Sequence, residues 1–250
     1  MKTISTMLTT VALSIGLLTT TATSANAALI DQGATVYDND LGISWLKNAN
    51  LAATNTFGVS GIDVPGSMNW NTTQSWIGAM NTANYLGYSD WRLPTTTDTG
   101  TLGCNFSYNG TDCGYNSTGS EMAHLFYNEL GNKSYYYTSG TGPQAGWGLL
   151  NTGPFSNLLS NVYWSGTEYA SSTTSAWNFN FYEGTQIGSL NASSLYALAV
   201  RPGQVVAASG TGDPAPGATV PEPSTTWLVG IGLLGLVGAA RRRLALRGFE

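Results

Sequence analysis

The sequence predicts an α+β domain, two helices early and a strand-rich second half, set between two targeting segments. Three observations carry that prediction. Apolar side chains recur at helical spacing in two stretches, 69–86 and 120–130. From residue 135 onward the chain turns to short aromatic and aliphatic runs separated by Gly, Asn, Ser and Thr, the texture of strands and turns. Both ends of the chain read as membrane-directed segments and not as parts of a globular core.

At the N-terminus, Lys2 supplies a positive start, VALSIGLL at 11–18 a short apolar run, and Ala25-Asn26-Ala27 an A-x-A cleavage site. Residues 1–27 are expected to be a secretory signal peptide, because the run is too short to span a bilayer. The folded domain is expected over 28–203. Within it, 35–46 reads as two short strands around an Asn39-Asp40 turn with Gly42. The first helix is expected over 69–86, with Trp76, Ile77, Met80 and Ala83 on one face, Asn71 or Thr72 as N-cap and Gly87 past its end. The second, 120–130, starts at a Ser120 cap with Glu121 against the helix dipole. It places Met122, Leu125, Phe126 and Leu130 on its apolar face and stops at Gly131. Strands are expected at 135–138, 147–150, 162–165, 176–182 and 195–201. In 176–182, Trp177, Phe179 and Phe181 alternate with Asn178, Asn180 and Tyr182, so one set should be buried and the other should face outward.

Charge and cysteine content narrow the function. Residues 28–203 hold four basic side chains (Lys47, Arg92, Lys133, Arg201) against eleven acidic ones. Such a surface will not hold a nucleic-acid backbone by counterion release, and it disfavours polyanionic glycans. Cys104 and Cys113, the two cysteines, lie in a Gly/Asn-rich stretch and read as a disulfide closing a short loop, with a free reactive pair as the alternative. His124, the single histidine, lies beside the apolar face of the second helix and reads as a packing residue. No metal site and no cofactor are expected.

Residues 204–219, rich in Ala, Gly, Ser and Pro, read as a linker. Then come Pro221-Glu222-Pro223, an apolar run from Trp227 to Ala240, and Arg241, Arg242, Arg243 and Arg247. A helix over 224–240 would rise roughly 25 Å, at the short edge of a bilayer core, and the Arg cluster would stop it on the cytoplasmic side. The 220–247 stretch resembles the PEP-CTERM sorting signal of Gram-negative bacteria. That resemblance implies transient anchoring in the inner membrane and cleavage by an exosortase-type membrane protease. Delivery to the cell surface or extracellular matrix follows.

A second resemblance covers nearly the whole domain. Its parts, in order, are Val36-Tyr37-Asp38 with Ile43-Ser44-Trp45, Asp90-Trp91-Arg92-Leu93-Pro94, the helix beginning at Glu121, Tyr163-Trp164-Ser165-Gly166-Thr167-Glu168, the Trp177–Gly184 run, and Ala199-Val200-Arg201-Pro202. This progression resembles the Lcl C-terminal domain family, known from the end of a bacterial collagen-like adhesin. Arg92-Leu93-Pro94 and the closing Val200-Arg201 also resemble the formylglycine-generating and C-type-lectin-like superfamily. The resemblance implies a compact C-type-lectin-like fold whose ends come together. The copper-binding cysteine pair and the calcium-dependent sugar loop of those relatives do not carry over. Here the two cysteines share one loop, and Phe179 follows Trp177-Asn178 where an aspartate would be needed.

The chemistry expected from these residues is recognition and not catalysis. A sugar site combines an aromatic platform with amide, carboxylate and hydroxyl groups, and Trp164, Glu168, Asn178, Asn180 and Tyr182 offer that mixture. The leading expectation is a non-enzymatic protein that binds or organises extracellular polysaccharide. The alternatives are a structural matrix protein without a specific ligand, or a glycan-active hydrolase using Glu168 and Glu183, which requires carboxylates about 5 to 9 Å apart. Arg92 and Arg201 are expected to form structural ion pairs.

Overall fold

The computed structural model describes residues 29–100 and 112–203. The signal peptide, Cys104, the linker, the sorting motif with Pro221, Glu222 and Pro223, and the membrane stop with Arg241, Arg242 and Arg243 lie outside the described residues. Among the described residues no helix is long and apolar enough to cross a membrane.

Two antiparallel sheets of four strands frame the domain. The first contains β1 (Leu29–Asp31), β2 (Thr35–Asp38) and β3 (Ile43–Leu46), with β8 (Val200–Pro202) beside β3. The expected hairpin at 35–46 is β2–β3, with Asp38 opposite Ile43. Because β8 closes on β3, with Ser44 opposite Arg201, both ends of the domain lie in one sheet. The second sheet runs β4 (Gly114–Tyr115), β7 (Thr185–Leu190), β6 (Ser175–Asn180), β5 (Val162–Glu168). Strands β1, β4 and β7 lacked any alternating run strong enough to anticipate.

Helix α1 is Trp70–Thr82 and is shorter than expected at both ends. Asn69, not Asn71 or Thr72, is the N-cap, its side chain accepting from the Thr72 amide at 2.9 Å. The C-terminal end comes early because Asn84 and Leu86 adopt positive φ, which stops α-helical hydrogen bonding before Gly87. Helix α2 is Glu121–His124, with Ser120 capping through the Ala123 amide as expected. It continues as one π-helical turn, Leu125–Glu129.

The two helices bury opposite faces of the second sheet. Tyr163 and Phe179 pack with Met122, Leu125, Phe126 and Trp45 in one core cluster. Trp164 and Ala176 pack with Trp76, Ile77, Met80 and Leu46 in the other. Neighbours in sequence thus enter different cores, as a period of two requires. Neither face is open.

The expected strands at 135–138 and 147–150 are instead irregular, joined by a single bridge between Lys133 and Gly148. Their backbone groups are satisfied by scattered partners such as Tyr135 N to Glu183 O at 2.8 Å and Tyr137 N to Thr141 O at 2.8 Å. The aromatic content suggested strands, but in these runs the rings pack on one another and no ladder forms. Over 195–201 only the end is strand, while Leu195 and Tyr196 make isolated bridges to Met68 and Tyr163.

Both arginines hold elements together. Arg92 donates to both carboxylate oxygens of Glu121 at 2.7 Å, tying the segment after α1 to the start of α2. Arg201 donates to Asp90 at 2.8 and 2.9 Å, and its guanidinium lies 3.9 Å above the Tyr88 ring. The guanidinium hydrogen bonds hold the Asp90 carboxyl below its ordinary range.

Candidate functional site

The residues expected to share an open sugar-binding face do not share one. Trp164 is fully buried, and its indole donates to the Met68 carbonyl at 2.9 Å. Asn178, its cross-strand partner, is also fully buried and donates to Ser189 Oγ at 2.8 Å. Both are core residues and not the exposed ligand contacts that the sequence suggests. Outward alternation fails because α1 covers the face on which a solvated surface was expected.

Glu168 is exposed at the far end of β5, opposite Ala176. Glu183 follows the other end of β6, where its Oε1 accepts from Thr185 Oγ1 at 2.9 Å and from Asn180 Nδ2 at 3.2 Å. The stretch from Ala176 to Asn180 alone spans about 13 Å. That is beyond the separation at which two carboxylates work on one glycosidic bond.

Asn180 and Tyr182 do reach the surface, and they join a group that the sequence reading missed. Tyr182 is 54% exposed. Its ring meets Trp147 edge to face at 5.2 Å, Trp147 meets Tyr135 at 4.8 Å, and Tyr135 meets Tyr136 at 4.8 Å. The row continues to Tyr115 at 4.8 Å. Tyr135 and Trp147 are half-buried, and neither they nor Tyr182 belongs to either core cluster. Edge-to-face contacts of this kind add about 0.5–1.5 kcal/mol each beyond burial. The aromatic runs themselves were visible in the sequence. Their convergence on Tyr182 was not.

Local backbone chemistry sets the row in place. The Tyr135 amide is tied to the Glu183 carbonyl, and the Gly148 amide to the Lys133 carbonyl at 2.9 Å. Gly148 has φ of +94°, and a Cβ there would stand 3.2 Å from the Tyr182 carbonyl oxygen, so the Trp147 loop approaches this turn only with glycine. Gly184 shows the same constraint, where a Cβ would come within 2.7 Å of the Tyr127 hydroxyl. That hydroxyl accepts from the Asn116 amide at 3.0 Å and donates to the Gly184 carbonyl. Burial pushes its pKa well above the ordinary phenol range.

At the opposite end of the β6–β7 hairpin is a groove of about 720 Å³, lined by Asn69, Asn71, Thr72, Thr173, Thr174 and Asn191 among others. It is rich in amides and hydroxyls and has no aromatic wall and no ionisable side chain.

A third group surrounds the single histidine. Asp38, at the end of β2, is fully buried, and its Oδ1 accepts from the Asp40 and Leu41 amides at 3.2 and 3.0 Å while its Oδ2 accepts from the Trp45 indole at 3.3 Å. His124 Nε2 lies 3.1 Å from Glu129 Oε1 and 3.9 Å from Asp38 Oδ1. The His124 side chain is 20% exposed and that of Glu129 1%. Burial raises the Glu129 pKa, and the charge of Asp38 raises it further, against the opposing contact with His124.

Comparison with known families finds the Lcl C-terminal domain over residues 34–201, a span that runs from β2 into β8. The PEP-CTERM protein-sorting motif is found over residues 219–243. No curated protein matches the chain.

Proposed function

The chain belongs to the Lcl C-terminal domain family and carries the sorting motif of an exported, exosortase-processed protein, held transiently at the membrane and sorted to the surface; from that premise we propose that its folded domain is a non-enzymatic module that binds extracellular polysaccharide. The observation that carries this reading is the half-exposed row Tyr135–Trp147–Tyr182, which stands outside both cores. A pyranose ring has an apolar C–H face and a hydroxyl edge. Half-exposed aromatic rings suit the first, and Asn180 and Glu183 beside Tyr182 suit the second. The acidic balance of the domain favours a neutral or amine-bearing glycan over a sulfated one. We read the fold as C-type-lectin-like on the same footing, because β1 and β8 bring the domain ends into one sheet.

The test is affinity electrophoresis or calorimetry of the mature chain against neutral and amine-bearing polysaccharides. Trp147→Ala with Tyr182→Ala is expected to weaken binding about tenfold or more, as loss of an aromatic anchor does. Equal binding by wild type and double variant would remove the aromatic row from the account. No saturable binding by wild type would leave a structural matrix protein.

A further inference from the structure

We propose that Asp38, His124 and Glu129 form a binding site for one divalent transition-metal ion, with zinc the ion of choice. Two separate segments supply the ligands: the end of β2, and one continuous helix that gives the last residue of α2 and the last residue of its π-helical turn. One donor atom from each of the three residues lies within 4.8 Å of the others. Tetrahedral ligands about 2.0–2.1 Å from a zinc ion stand ~3.3 Å apart. The His124–Glu129 and His124–Asp38 separations of 3.1 and 3.9 Å bracket that value.

Two features distinguish this cluster from an ordinary hydrogen-bonded knot. Glu129, whose side chain is 1% exposed, has a carboxylate oxygen, Oε2, with no hydrogen-bond partner. An unsatisfied buried carboxylate oxygen is costly, and a cation satisfies it directly. Charge points the same way. Among the described residues the imidazole of His124 is the only basic group in ion-pair reach of Asp38 or Glu129. Two carboxylates against one imidazole leave negative charge uncompensated even when the ring is protonated, and Asp40 adds to it.

The backbone is shaped for the same convergence. His124 and Glu129 are five residues apart, and in an α-helix their side chains would diverge by about 140°. The i→i+5 turn at Leu125–Glu129 brings them to one side. Asp38 is orientated by two amides and an indole, the kind of outer support that fixes a metal-binding carboxylate. His124 also lines a cavity of about 280 Å³ with Leu41, Ser120 and Glu121, which offers an entry path and room for a water ligand. The nitrogen and carboxylate donor set suits zinc or manganese better than calcium, which takes an all-oxygen shell of more ligands. Metal binding requires Nε2 unprotonated.

The experiment uses the untagged mature chain, stripped with chelator and titrated with zinc chloride by calorimetry, with calcium chloride as the second arm. One zinc per chain is expected, with calcium at least about a hundredfold weaker. His124→Gln and Glu129→Gln should each weaken zinc by more than about tenfold. Because the chain has a single histidine, its imidazole nitrogen shifts report on the wild type without any variant. Zinc should move the Nε2 resonance to the metal-bound range, and cobalt substitution should give ligand-field bands. An Nε2 resonance unmoved by saturating zinc, or zinc affinity unchanged in both variants, overturns the proposal. None of these readouts depends on polysaccharide binding.

Discussion

Trp164 and Trp147 are the same side chain, and they have opposite fates. Trp164 is fully buried beneath α1 and donates to the Met68 carbonyl. Trp147 stands half-buried between Tyr135 and Tyr182 in a loop that no helix covers. Hydrophobic burial and indole satisfaction make the first a structural residue. The second is only half-buried and stands against Tyr182, which is 54% exposed, and this is why we propose it as a ligand contact. Composition does not separate them; the cover does.

The comparison can be broken at several points. Trp164→Ala should cost about 3–5 kcal/mol, read as a large fall in the denaturation midpoint, whereas a small change would mean that α1 can collapse into the gap. The cover from α2 depends on its first residue, so Glu121→Gln, which loses the charge that meets both Arg92 nitrogens, should cost about 1.5–3 kcal/mol. Chemical denaturation reads it, and Arg92→Lys should behave similarly because one ammonium cannot reproduce the two-nitrogen fork. Trp147→Ala should lower stability by less than about 1.5 kcal/mol, the scale of its ring contacts, while lowering polysaccharide affinity about tenfold. A loss of stability comparable to that of Trp164→Ala would place Trp147 among core residues.

The smallest effect concerns the closing strand. Asp90 has a lowered pKa in the folded chain through its hydrogen bonds to Arg201. Its contribution is therefore present above the unfolded value, near 3.8, and is lost as pH falls through the lowered folded value. Asp90 is 47% exposed, so solvent screens the pair and the effect is modest. Asp90→Asn should lower the neutral plateau of a stability–pH curve slightly, and the difference from wild type should disappear as pH falls through the folded value, which flattens the acid limb.

Local signals were legible where local chemistry decides. The Ser120 cap, the Glu121 start and the apolar positions Met122, Leu125, Phe126 and Leu130 were all readable and are all present. So was the β2–β3 hairpin, whose turn lies between residues only a few positions apart. The π turn was not legible, because its residues are ordinary helix formers. The edge strands β1 and β4 and the inner strand β7 were missed because their registration depends on β2, β7 and β6 respectively, not on their own alternation. Of the expected sugar contacts, Asn180 and Tyr182 stand at the surface beside the aromatic row, Glu168 is exposed at the other end of the sheet, and Trp164 and Asn178 lie inside.

By itself the sequence determined the export and sorting of this chain, the family it belongs to, its α+β class and the pairing of its two structural arginines with carboxylates. These follow from short-range composition and motif order. Only the tertiary structure decided which aromatic residues are covered, and only it brought Asp38 to His124 across more than eighty residues of chain. Burial and convergence depend on what packs against a segment from elsewhere. Periodicity reports two faces of a strand; the packing of α1 and α2 decides whether either one meets water.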